Sequence, residues 1–250
     1  VPRPQFRPHF EAARAVGLHS VPHAGESTGP VTIWDAVDLL GAIGDTRATA
    51  GVTARALSDR DVHVRWRAIW AATALDDGTA APRLLAALKD RNATVAWNAA
   101  VALSVFGRRE AIPALHAGLK SPNLFQRWEA ANALGSVHDG RTRGLLERAL
   151  ERDVSDVRRE AALSLGRIGS PAGAPALVKA LQRDSDPEVR WRAAMSLARP
   201  GDAGVVGTLR RLLKKERAPE VRAQLESTIR DLSKASVPET RRGSWRSGSA

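Results

Sequence analysis

The sequence predicts an all-α fold, a right-handed solenoid of about six to seven stacked helix pairs, each 31 or 32 residues long, over residues 31–234. Three observations carry that expectation. One aromatic residue returns at a fixed interval, two amphipathic patterns alternate inside each interval, and glycines punctuate the joins. The segments VHVRWRAIWAATAL, ATVAWNAAVALSVFG, LFQRWEAANALGSV, SDVRREAALSLGRIG and PEVRWRAAMSLA align on Trp66, Trp97, Trp128, Arg159 and Trp191, with spacings of 31, 31, 31 and 32. The same slot holds Trp34 one period earlier and Ala223 one period later. A helix pair this short cannot bury its apolar face alone, so stacked neighbours must complete the core.

The elements follow in order. Residues 1–30 precede the array, and HFEAARAVG at 9–17 is expected to cap it as a surrogate first helix. The first helix of each pair reads PRLLAALKD, IPALHAGLK, GLLERALER, PALVKALQR and VGTLRRLLKK, each amphipathic. The second helix is plainest near residue 187: Asp186 is an N-cap, Pro187 takes the first helical position and Glu188 the first turn. Val157, Ala161, Leu165 and Ile168 fall on one face of a 3.6-residue period. Small alanines on that face let adjacent helices approach closely. Gly107, Gly140, Gly169 and Gly201 stand where one unit gives way to the next. From Lys234 onward, KASVPETRRGSWRSGSA has no apolar period, and residues 235–250 are expected to be a disordered basic tail.

Composition bounds the function. The 250 residues are 43% hydrophobic and 26% charged, ordinary for a chain with a core. The net charge of +11 suits an acidic partner, nucleic acid among them, or simply a basic solvated surface. Arginine dominates the basic residues: only Lys89, Lys120, Lys179, Lys214, Lys215 and Lys234 are lysines, a bias that a GC-rich bacterial genome would also write. There is no cysteine, which excludes disulfides and thiolate metal sites and fits a cytoplasmic protein. No apolar run is long enough to span a membrane. The first residue is Val1 rather than Met, as expected of a fragment or a processed product.

The pattern D-x-x-V-R-x-x-A-A-x-x-L-G-x-I-G resembles the short HEAT-like repeats of the phycobilisome bilin lyase type, over about four fifths of the chain. The resemblance implies an armadillo-like solenoid, a fold shared by scaffolds, lyase subunits and DNA-binding enzymes. It also implies a structural ladder in which Asp and Arg bridge successive inter-helix turns. By that resemblance Arg65, Arg127, Arg158, Arg190 and Arg222 would be its arginines, and Asp61, Asp153 or Asp156, and Asp186 its acids; Ala96 interrupts the row.

The tryptophan slot lies roughly 200° from the centre of the apolar face, pointing to the concave surface lined by second helices. Trp34, Trp66, Trp97 and Trp128 would form a stripe, broken at Arg159 and resumed at Trp191. Arg67, Asn98, Glu129, Glu160 and Arg192 stand beside it, so the flanking charge is mixed. Two readings stay open. The indoles pack between repeats, or they anchor a bound peptide, where Trp and Arg are the usual hot spots. The other histidines, His9, His19, His63, His116 and His138, lack ligand spacing and read as surface positions.

Residues 6–42, with GLHSVPHAGE and the helix TIWDAVDLLGA, resemble a fragment of adenosine deaminase. The resemblance implies that His23 would be a zinc ligand, Glu26 the proton-transfer residue and Gly25 a purine contact. The family's H-x-H pair and its R-I-G-H-G strand have no counterpart here, so these residues read as an inactive remnant. No cofactor is therefore expected. The leading expectation is a non-enzymatic scaffold of the bacterial cytoplasm that binds a protein partner on its concave face. The rivals are a nucleic-acid-binding solenoid and an enzyme-associated subunit, and oligomeric state stays open.

Overall fold

Side-chain caps and left-handed glycines set the ends of several second helices of the array. In the computed structural model, which describes residues 57–74, 80–198 and 203–235, eleven α-helices follow one another. They are α1 (Val62–Ala74), α2 (Ala81–Ala87), α3 (Ala93–Val105), α4 (Ile112–Gly118), α5 (Leu124–Ser136) and α6 (Arg143–Arg152). Then come α7 (Ser155–Ile168), α8 (Ala174–Arg183), α9 (Pro187–Ser196), α10 (Val206–Leu213) and α11 (Pro219–Ala235). Among the described residues there is no strand. The expected cap at 1–30, His23, Gly25, Glu26, Trp34, His9, His19, Gly201 and the basic tail lie outside the described residues.

Asn92 starts α3 by accepting from the backbone N–H of Thr94 and Val95 at 3.0 and 3.2 Å, and Asn123 does the same for Phe125 and Gln126 at α5. Asp186 caps α9 as the sequence predicts, with Pro187 at the first position and the Glu188 N–H at 2.9 Å. Gly169 ends α7 and Gly107 follows α3, both at φ +65°, a left-handed turn that only glycine enters without strain. Short 3₁₀ turns at Arg109–Ala111, Gly140–Thr142, Pro171–Gly173 and Ala203–Val205 lead into α4, α6, α8 and α10.

The chain divides into two compact units, Val1–Leu115 and His116–Ala250. In the first, α3 packs against α1 and α2. In the second, α5, α7, α9 and α11 form a continuous row of second helices, and α6, α8 and α10 pack on α7, α9 and α11. The shared core is aliphatic and fine-grained: Val157, Ala161, Leu165, Leu177, Val189 and Leu209 are buried, with Ile168 half-buried at the edge. Each fully buried leucine contributes about 2 kcal/mol by leaving water.

Close approach in the row rests on two glycines. A Cβ built on Gly166 would lie 2.5 Å from Ser196 Oγ, and one on Gly135 would lie 2.8 Å from Ser164 Cα. No side chain fits at either place, so α7 sits against α5 and α9 at backbone distance. Ser164 Oγ is buried there without a hydrogen-bond partner among the described residues.

Candidate functional site

The arginine ladder is present, and its acids come from a different place than the sequence suggests. Arg65 reaches Asp90 with Nε and Nη2 at 2.7 and 2.9 Å, and its Nη1 donates to the carbonyls of Asp59 and Arg60. Arg127 donates to Asp153 at 3.1 Å, Arg158 to Asp184 at 2.7 and 2.8 Å, and Arg190 to Glu216 at 2.9 Å. Each acid ends the first helix of the following repeat, 25 or 26 residues on. Arg222 donates only to the carbonyls of Leu213 and Glu216.

Asp153 thus belongs to the ladder, whereas Asp61 and Asp186 do other work. Asp61 accepts from the His63 backbone N–H, and Asp186 caps α9 while receiving Arg159 at 2.6 Å. Asp156 also receives Arg159. The paired hydrogen bonds raise the guanidinium pKa of Arg65, Arg158 and Arg190 above the ordinary value. The Arg65 guanidinium in turn holds the Asp90 carboxyl below its ordinary range.

On the second-helix face, Trp66, Trp97, Trp128 and Trp191 are all half-buried. They are neither sealed into the core nor standing free. Arg67 lies over the Trp66 ring, its guanidinium carbon 4.9 Å from the centroid. Phe125 stacks on Trp128 with centroids 5.9 Å apart. Asn98 donates back to the Thr94 carbonyl, and Arg192 pairs with Glu188.

Glu160 departs from the expected surface row. It is buried and paired with Arg167, which also reaches Asn132 on the neighbouring helix. An acid in that position closes a cross-repeat polar network instead of flanking a groove.

Among the described residues, the most exposed aromatics are two that lie outside the tryptophan slot: Trp70 at 50% and Phe125 at 64%. Trp70 follows Trp66 by one helical turn, a spacing visible in VHVRWRAIW. The slot four residues after the tryptophan column runs Trp70, Val101, Asn132, Leu163 and Met195, each exposed or half-buried. Within each unit, therefore, the second helices carry a further, mostly apolar position one turn beyond the tryptophan slot. Among the described residues, no group of three His, Asp or Glu is placed to hold a metal ion.

Helix pairs repeating at this period, tied by a ladder of ion pairs, define an α-solenoid repeat protein. The chain belongs to the HEAT repeats family, whose model matches residues 81–163 and 142–230. Among solved structures, the archaeal HEAT-like repeats protein from Thermococcus onnurineus NA1 is 17% identical with a TM-score of 0.54, covering 82% of this chain and 93% of that one. The complex of CpcE and CpcF of phycocyanin lyase from Nostoc sp. PCC7120 is 22% identical with a TM-score of 0.50, covering 83% and 91%. At such identities the likeness is one of fold.

The adenosine deaminase family model matches residues 1–116, and the described part of that stretch is helical. Aminodeoxyfutalosine deaminase from Streptomyces avermitilis is 70% identical over 37 residues, and adenosine deaminase from Pectobacterium atrosepticum 49% over 53. The matched stretches span 15% and 21% of this chain, and only 10% and 15% of those relatives. Among the described residues, no helix is long and apolar enough to cross a membrane.

Proposed function

We propose that the chain is a non-enzymatic scaffold whose second-helix face binds an extended protein segment through apolar and aromatic anchors. The observation that carries this reading is the placement of exposed apolar residues. Among the described residues, five large hydrophobics are exposed, Trp70 and Val105 in the first unit and Leu124, Phe125 and Val154 in the second, and all lie on second helices or at their N-termini. Half-buried tryptophans beside them offer rigid, partly wet surfaces of the kind that dominate protein recognition. Arg159 fills the missing tryptophan position but is engaged by Asp156 and Asp186, so it bounds the surface rather than extending it.

A photo-crosslinking residue placed at Phe125, and separately at exposed Gln182 on a first helix, tests this in cells. Crosslinks to one protein from position 125 only are expected. The purified partner should then bind the unmodified chain and bind the F125A/W128A variant at least roughly tenfold more weakly. Equal crosslinking from both positions would remove the case for a second-helix site.

A further inference from the structure

The first helices carry a feature that the second-helix reading leaves unused. The residue just before the ladder-acid slot is a cation in every described repeat: Lys89, Lys120, Arg152, Arg183 and Lys215, at spacings of 31, 32, 31 and 32, with Ser121 standing in the slot after Lys120. All five are exposed. One turn earlier on the same helices stand His116, Arg148, Lys179 and Arg211, again one period apart. In the second unit the two columns form a grid, with cations four residues apart at α6, α8 and α10 and one helix apart across the stack, roughly 8–10 Å; burial, with Lys120 and Arg148 nearby, lowers the pKa of His116, which adds no charge at its corner.

The grid's positive charge is largely uncompensated. Among the described residues, Lys120, Arg148, Arg152, Arg183, Arg211 and Lys215 have no ion-pair partner, although Lys179 pairs with Glu151. The ladder acids Asp153, Asp184 and Glu216 are already committed to Arg127, Arg158 and Arg190. His116, Lys120, Arg148 and Arg152 line one groove of about 200 Å³ between α4 and α6. The next groove, between α6 and α8, adds Arg143, Lys179 and Arg183, with Glu147 and Glu151 among its walls.

We propose that this first-helix face of the second unit docks the phosphate backbone of double-stranded nucleic acid, without reading its sequence. Two properties favour that occupant over an acidic protein. The face bears none of the large exposed hydrophobics, whereas protein interfaces need an apolar core and are depleted in lysine. It also bears no aromatic side chain on which unpaired bases would stack, which favours a duplex over a single strand. Evenly spaced, exposed cations are what backbone contacts require.

The test uses the full chain, a short labelled DNA duplex and fluorescence anisotropy at several salt concentrations. The substitutions K120Q/R152Q/R183Q/K215Q remove one grid column. A control, R60Q/R91Q/R230Q/K234Q, removes the same charge from exposed positions off the grid. Both sets should leave the melting curve in place. The grid variant should flatten the slope of log K against log salt by about 3 to 4, and so lose roughly a hundredfold less affinity between about 50 and 200 mM salt. Equal effects from both variants would mean that net charge alone acts, and would overturn the proposal. So would absence of duplex binding at low salt, tighter binding of single strands, or a polyglutamate chain or anionic vesicle that the duplex fails to displace.

Discussion

Arg158 and Asp184 meet in a two-pronged ion pair, Nε to Oδ2 at 2.8 Å and Nη2 to Oδ1 at 2.7 Å, across 26 residues of chain. The third nitrogen, Nη1, donates to the Asp153 carbonyl at 2.9 Å. Asp153 offers its side chain to Arg127, so its turn is tied to the repeat before and to its own second helix, as are those at Asp184 and Glu216. Both members of the Arg158 pair are less than one fifth exposed.

Asp184→Asn keeps the shape and removes the charge, leaving Arg158 with a poorer acceptor. Stability is expected to fall by about 2 kcal/mol, read as a lowered urea midpoint. A change of only a few tenths would show that the pair is as weak as an ordinary surface bridge.

Acid should loosen the same ladder at its C-terminal end. Glu216 is held down from 4.5 to about 2, first by the hydrogen bonds from Arg190, with backbone N–H groups of Ala218 and Arg217 assisting against the opposing effect of burial. A carboxyl depressed in the folded state stabilises fully above its unfolded value, and that contribution is lost as pH falls through the folded one. Melting temperature should therefore drop between pH 4.5 and about 2. Glu216→Gln should melt lower at neutral pH and show a shallower drop over that interval.

Gly166→Ala places a methyl group 2.5 Å from Ser196 Oγ, with Ser196 Cα only 3.0 Å away. Since backbone as well as side chain is close, the helices must separate, at a cost of about 1–3 kcal/mol. Adding Ser196→Gly should recover part of the loss. A double-mutant cycle with no coupling would show that the two residues do not limit the helix spacing.

Ser164→Ala should act in the opposite direction. Its hydroxyl is buried and has no partner among the described residues, so deleting the oxygen removes a desolvation cost and is expected to raise stability by about 1 kcal/mol. Loss of stability in calorimetry would reveal a hydrogen bond made to water.

Phe125→Ala removes a ring that is 64% exposed, and stability should change by about 0.5 kcal/mol or less. Partner binding, once the crosslinked protein is in hand, should nevertheless fall. Unfolding of the array by this single change would make the ring a packing element.

The repeat was legible because burial repeats: Val157, Ala161 and Leu165 lie in the core at the spacing that the sequence displays. Capping was legible too, since Asp186, Gly107 and Gly169 act locally. Asp153 was among the acids the sequence suggests, but Asp90, Asp184 and Glu216 were not, because the pairing is lateral. Arg65 looks equally able to meet Asp61, four residues away, until stacking brings Asp90 alongside. The recurrence of an acid at positions 90, 153, 184 and 216 was the available signal. Glu160 looked like a surface acid for the same reason, because its partner Arg167 lies a further two turns along the helix. The cation column has no local signature, because a lone Lys or Arg at the end of an amphipathic helix looks like any solvated terminus until stacking aligns it with its counterparts.

The glycine and serine contacts have a consequence for how such a chain grows. Helix α7 presents Ser164 to the glycine of the helix before it and Gly166 to the serine of the helix after it. Only the α7 period carries both halves of the fit, since Ala133 and Ala198 stand in the corresponding slots of α5 and α9, and any copy of it would carry both. An in-frame duplication of the α7 period would therefore arrive already matched to its neighbours, whereas resetting the spacing at a single junction without strain would need matched changes in two modules. Lengthening by whole periods is the accessible route; reshaping one junction is not.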